Sequence, residues 1–211
     1  MKNRVHTVIF DLDGTLSDSG ILTIAAFNKI APIHGFTAPS REKIRRTTGY
    51  ACPEFYHILL PDFEKSEAEM IGKMVEEEEA RLLPSLAGGL LFEGCFELLH
   101  NLKNMEICLK IASTGGTRHV HSVLSKTGIM DLFDTVSCNR PDKTEMLREM
   151  IRDEDKAGHL MVGDMKKDYE AARANGIISV GACYGYCIKE LSEFDHYIDR
   201  PHDLLKIMQG M

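Results

Sequence analysis

The apolar residues Val5, Val8, Ile9 and Phe10 form a short run that ends at Asp11, and Asp13-Gly14-Thr15 breaks the pattern. A run of this length bounded by turn residues predicts a buried strand. Beyond it the apolar spacing changes to three and four. Residues 20–34, 40–46, 52–59 and 65–83 read as helices, separated by His34-Gly35, Pro39-Ser40, Gly49, Pro53, Pro61-Asp62 and Pro84. From about residue 88 the style changes again. A helix is predicted over 89–103, a strand over 107–112, a helix over 117–127 and a short strand over 135–137. A helix over 143–151, a strand over 159–162, a helix over 166–174 and a strand over 177–180 follow; a strand near 196–198 and a helix over 201–209 close the chain. Strands alternating with helices predict an α/β fold, a doubly wound parallel sheet covered on both faces.

One spacing divides the chain. A strand–helix–strand crossover takes ~30 residues, yet Phe10 and Ile107 stand roughly three times as far apart. The four-helix segment is therefore read as an insertion, a helical cap over 18–84 on a core made of 1–17 and 85–211. It is expected over the carboxyl ends of the strands, where open parallel sheets bind ligands. The run Glu76-Glu77-Glu78-Glu79 in its last helix reads as a solvated face.

Composition narrows the function classes. The chain has 211 residues, 44% hydrophobic and 27% charged, which excludes disordered and collagen-like classes. No apolar stretch approaches the ~20 residues that span a bilayer, and no signal peptide is read at the N-terminus, so a cytoplasmic protein is expected. A net charge of -7 argues against a nucleic-acid partner held through its phosphates. The scattered cysteines lack a CxxC pair and are expected to be reduced; Cys183 and Cys187, four apart without a matching His or Cys pair, are not expected to bind zinc.

The chemistry collects just past the predicted strands. Asp11-x-Asp13 follows the first strand and Ser113-Thr114-Gly115-Gly116 the second. Lys143 opens a helix after 135–137, and Gly163-Asp164-x-x-x-Asp168 follows 159–162. In a parallel sheet all four loops emerge at one edge, so two carboxylate pairs, a hydroxyl loop and an ammonium converge. Each piece has a plainer reading. Asp13-Gly14-Thr15 could be a turn, Ser113-Thr114 a helix cap, Lys143 a surface lysine, and Asp164 with Asp168 a helix start. His119 and His121 point to different faces of a predicted helix, so no shared metal role is expected for them.

The ordered series Asp11-Leu-Asp13-Gly14-Thr15-Leu16, Ser113, Lys143 and Gly163-Asp164 with Asp168 resembles the four motifs of the haloacid dehalogenase superfamily. It is most similar to the phosphoglycolate phosphatase-like branch with a helical cap after the first strand. The resemblance implies a Rossmann-like core and a Mg²⁺-dependent phosphatase of a small phosphate monoester: phosphoglycolate, a sugar phosphate or a nucleoside monophosphate. It makes Asp11 the nucleophile that carries the phosphoryl group and Asp13 the general acid and base. Ser113 and Thr114, at the start of a helix, and the Lys143 point charge would bind phosphate. The implied Mg²⁺ ligands are the Asp11 side chain, the Asp13 backbone carbonyl and Asp164, with Asp168 holding a metal water or orienting the others.

Members of the family often carry a basic residue two places after the second-motif Ser or Thr; here that place is Gly115. Specificity is expected on the cap, at Thr48, Gly49 and Tyr50, where Arg46, with Arg45, could meet a second anion or lie on a solvated face. The expected partner is a small phosphorylated metabolite, with neither nucleic acid nor membrane, and a monomer or weak dimer is compatible. The alternatives are a phosphomutase of the β-phosphoglucomutase type and a non-catalytic module binding a phosphorylated metabolite.

Overall fold

The computed structural model describes residues 5–152, 156–186 and 193–211. Cys187, considered above with Cys183, lies outside the described residues. Six strands, β1 (Thr7–Phe10), β2 (Cys108–Ala112), β3 (Thr135–Ser137), β4 (His159–Gly163), β5 (Ile178–Ala182) and β6 (His196–Ile198), form one sheet in the order β3-β2-β1-β4-β5-β6. Every pairing is parallel. In register, β1 residues Thr7 and Phe10 face Cys108 and Ile111 on one side and His159 and Val162 on the other.

The strand residues read as near-continuous apolar runs because both faces are covered. Val8 and Phe10 of β1 point into one cluster with Leu98, Leu102, Val123 and Leu204, whereas Ile9 points to the opposite face with Met146, Leu147 and Met161. That alternation is the two-residue period of a pleated strand. The first face is covered by α5 (Cys95–Asn104), α6 (Thr117–Lys126) and α9 (Asp203–Gly210), the second by α7 (Lys143–Ile151) and α8 (Lys166–Asn175).

Between β1 and β2 stand α1 (Gly20–Ile33), α2 (Arg41–Thr47), α3 (Glu54–Leu59) and α4 (Lys65–Leu86). They enclose a cluster of their own, including Phe27, Ile44, Tyr56, Ile71 and Val75. Local signals set their ends: Ser40 accepts from the Lys43 amide at the start of α2, and Glu64 with Glu67 forms a reciprocal cap on α4. Among the described residues no helix is long and apolar enough to cross a membrane.

Three expectations need correction. In the glutamate run read as a solvated face, Glu78 and Glu79 are buried, Glu78 pairing with Lys29 at 2.9 Å and Glu79 accepting from Thr23 Oγ1 at 2.5 Å, because these two turn toward α1 rather than water. Pro84 does not end α4, which runs on to Leu86. Proline removes one amide from the helix ladder, but Leu83 is buried in the sheet cluster and Leu82 and Leu86 pack against it, so tertiary packing outweighs the lost bond. Conversely, α5 starts at Cys95 rather than near residue 89. Leu91 bridges to Ser17, and the Phe92 amide donates to the Leu16 carbonyl at 3.0 Å, so this stretch straps the β1 loop.

Candidate active site

In a sheet of this order the crevice opens where the connections from neighbouring strands run in opposite directions, here at the carboxyl ends of β1 and β4. The Asp11 amide donates to the Val162 carbonyl at 2.9 Å, which holds Asp11 one residue past β1 and against β4. The chain then turns back: the Leu16 and Ser17 amides both donate to the Leu12 carbonyl at 2.9 Å. Gly14 makes the turn with φ of +89°, and a Cβ there would lie 2.6 Å from an Asp164 carboxylate oxygen. Only glycine meets both conditions without strain.

Four buried charged side chains meet at this corner. The Lys143 ammonium is 2.7 Å from Asp11 Oδ1 and 2.6 Å from Asp168 Oδ1. Lys143 is the first residue of α7, whose start is set by Asp142 accepting from the Thr144 amide at 2.8 Å. Asp168 also accepts from the Met165 amide at 3.0 Å. Asp164 accepts from Thr15 Oγ1 at 3.2 Å and from the Tyr186 amide at 2.8 Å. Tyr186 is thus tied to the site through its backbone, while its hydroxyl donates to Asp18 at 2.5 Å and accepts from the Gly20 amide.

Three buried carboxylates against one ammonium leave an excess of negative charge that burial makes costly. Burial pushes Asp164 up to about 7, reinforced by the charge of Asp168. Burial likewise raises Asp11 well above the carboxylate range, although Lys143 pulls the other way. It also opposes the charge on Lys143, but Asp11 and Asp168 outweigh it and raise that pKa. Asp11 Oδ2 is buried without a hydrogen-bond partner. Oxygen atoms of Asp11, Asp164 and Asp168 lie within 4.8 Å of one another, a hard-oxygen donor set suited to a divalent cation such as Mg²⁺.

Asp13 faces a different space. Its Oδ1 is 2.8 Å from His119 Nε2 in the first turn of α6. Burial disfavours charge on both, yet the pair outweighs it: Asp13 is held below the carboxylate range and His119 is pushed up to about 9. Sequence spacing does not reveal this contact: it relates His119 only to His121, on another face of the helix. The available signal was its place one turn into the helix that follows Ser113 at the same sheet edge. Gly115 belongs here too, because a Cβ on it would come within 3.1 Å of Asp13 Oδ2. The residue standing where relatives often have a basic one therefore leaves room beside Asp13.

Ser113 is buried, and its Oγ accepts from the Gly115 amide at 3.1 Å. The Thr114 hydroxyl instead donates to the Gly49 carbonyl at 2.7 Å, joining the core to the helical insertion. Gly49 has φ of +107°, and a Cβ on it would collide with Met165 Sδ. Tyr50 lies under the Lys167 ammonium, 4.3 Å from its ring centre. Thr48, Gly49 and Tyr50 line a cavity of about 160 Å³ that reaches Asp13 and His119. Arg46 is not among its lining residues: its guanidinium is exposed and pairs with Glu42 at 2.8 Å, while Arg45 pairs with Asp18 at 2.9 Å. The structure thus gathers Asp11, Lys143, Asp164 and Asp168 in one buried cluster, sets Asp13 on the cavity side, and turns Arg46 outward.

Residues 8–182 match the haloacid dehalogenase-like hydrolase family. The chain is 26% identical over 209 residues to a phosphoglycolate phosphatase of Synechococcus elongatus, covering 96% of both proteins. It is 27% identical to the pyrophosphatase PpaX of Listeria welshimeri, covering 99% of each. Among solved structures, a putative phosphatase from Clostridium difficile superposes with a TM-score of 0.81 at 23% identity, over 98% of this chain and all (100%) of that one.

Proposed function

The chain belongs to the haloacid dehalogenase-like hydrolases, and on that footing we propose that it is a Mg²⁺-dependent phosphatase of a small phosphate monoester, working through a phosphoryl group carried on Asp11. The observation that carries this reading is the orphaned Asp11 Oδ2, buried beside an ammonium and two further carboxylates. A carboxylate oxygen without a partner is too costly to keep as scaffolding, whereas a nucleophile needs a free lone pair.

Asp11, Asp164 and the Asp13 backbone carbonyl would hold Mg²⁺, with Asp168 steadying the set through Lys143. Bound there, the ion would supply positive charge that offsets the repulsion between the carboxylate and the phosphate. Lys143 fixes Asp11 by its Oδ1 and leaves Oδ2 to attack phosphorus, adding its own charge to the transferred group. Ser113 and the amides opening α6 bind phosphate oxygens. As the bond from phosphorus to the leaving oxygen breaks, that oxygen takes the proton shared by Asp13 and His119. The carboxylate then removes a proton from the water that cleaves the phospho-Asp11 bond. The helical insertion covers the site and limits access of bulk water.

Replacing Asp11 with Asn tests the reading. Mg²⁺-dependent phosphate release from small monoesters should fall by at least about a thousandfold while the fold is kept. Activity within tenfold of wild type would mean that another group attacks.

A further inference from the structure

The cavity beside Asp13 has a chemical character of its own. Its wall from the insertion is built by α1, by α4 and by the segment through Tyr50 and Phe55, and this wall contributes carboxylates, hydroxyls, a thiol and apolar or aromatic groups but no basic side chain. Glu79 is buried and accepts from Thr23 Oγ1 at 2.5 Å; Glu76, one turn earlier, is exposed and accepts from the Cys52 thiol at 3.6 Å. The basic residues of the lining are His119, committed to Asp13, and Arg118, which is exposed like Glu76, so that water screens both of these and buried Glu79 dominates. Ser19 lines the same space and is almost fully buried; its hydroxyl lies near the Asp13 carboxylate and favours its charge, but its Oγ makes no hydrogen bond of ordinary length. A buried hydroxyl of this kind calls for a ligand or water to complete it.

Resting on the phosphatase reading, we propose that this cavity receives the leaving alcohol, that the alcohol bears hydroxyl or amino groups and no second anion, and that Glu79, assisted by Glu76, selects it. Carboxylates accept hydrogen bonds from such donors and repel a carboxylate or second phosphate brought within a few ångströms. Ser19 completes one further bond. Size sets the other limit: a cavity near 160 Å³ holds roughly six heavy atoms, judged by benzene filling an engineered cavity of similar volume. Glycerol and ethanolamine fit that volume. Specificity of this kind works chiefly by exclusion: burial already raises the Glu79 pKa, so an anionic competitor would either face an unpaired buried charge or force Glu79 to take up a proton, and both cost affinity.

Steady-state kcat/KM of the wild-type protein with Mg²⁺ should be measured on methyl phosphate, glycerol 3-phosphate, phosphoethanolamine and 2-phosphoglycolate. At least one of the two donor-bearing esters is expected to exceed 2-phosphoglycolate by at least tenfold. Glu79→Gln should shrink that ratio at least fivefold, mainly through KM, and Glu76→Gln should shrink it less. Preference for 2-phosphoglycolate in the wild type, or an unchanged ratio in folded Glu79→Gln protein, overturns the proposal. If Glu79→Gln does not fold, the wild-type ratio and Glu76→Gln decide. Turnover of methyl phosphate without the preference sinks this inference alone; turnover of none of the four sinks the phosphatase reading with it.

Discussion

His119 Nε2 lies 2.8 Å from Asp13 Oδ1, so the carboxylate assigned to proton transfer has an imidazole partner from a helix more than a hundred residues further along the chain. The pair joins the β1 loop to the first turn of α6, and its strength depends on pH.

Because His119 is raised from 6.5 to about 9 in the folded protein, its contribution to stability is complete below about pH 6.5 and is lost as the pH rises through about 9. His119→Asn should remove this dependence. The difference in unfolding free energy between wild type and variant should be on the order of 2 kcal/mol at pH 6 and close to zero by pH 10, allowing for partial solvent screening. Urea melts at several pH values measure it; a difference that does not change with pH would show the pair to be uncoupled from folding.

Lys143 neutralises part of a buried anionic cluster, so Lys143→Met should leave Asp11 and Asp168 uncompensated. A loss of about 3–5 kcal/mol in urea unfolding is expected without divalent cation. Adding Mg²⁺ should recover part of it.

Wild-type protein should melt at a higher temperature with Mg²⁺ than with EDTA, by an amount corresponding to about 2.7 kcal/mol when the ion is at a hundred times its Kd. Asp164→Asn should abolish most of this shift. Retention of the full shift would move the cation away from Asp164.

Gly14→Ala should cost about 2 kcal/mol or more, since the backbone has φ of +89° and the new methyl would meet the Asp164 carboxylate. Phosphate release should fall with it, because relief of the collision displaces Asp164. Thermal melts together with a phosphate assay check both.

Thr114→Val removes the hydroxyl that donates to the Gly49 carbonyl at 2.7 Å, one of the bonds between core and insertion. The expected stability loss is about 1 kcal/mol. A several-fold rise in KM should exceed any change in kcat if the insertion organises the substrate cavity.

Much of this was legible along the chain. The β1 run ending in Asp11-x-Asp13, the separation of Phe10 from Ile107, and polar residues placed just past apolar strands are local or periodic signals. A strand buried on both faces leaves them little freedom to mean anything else. Pro84 and the strap at Leu91-Phe92 were misjudged for the opposite reason: long-range packing overrode a local breaker in one case and a helical spacing in the other.

By itself the sequence determined the strand ends that carry Asp11, Ser113 and Asp164, the helix start that carries Lys143, and the presence of a helical insertion, because two- and four-residue periods and turn chemistry are written in neighbouring residues. Only the tertiary structure decided that Lys143 bridges Asp11 and Asp168, that His119 meets Asp13, and that Arg46 turns away while Glu79 faces the cavity. Those relations depend on where separate helices come to rest against the sheet, and that is set by the close packing of the whole interior, which no short stretch of chain encodes.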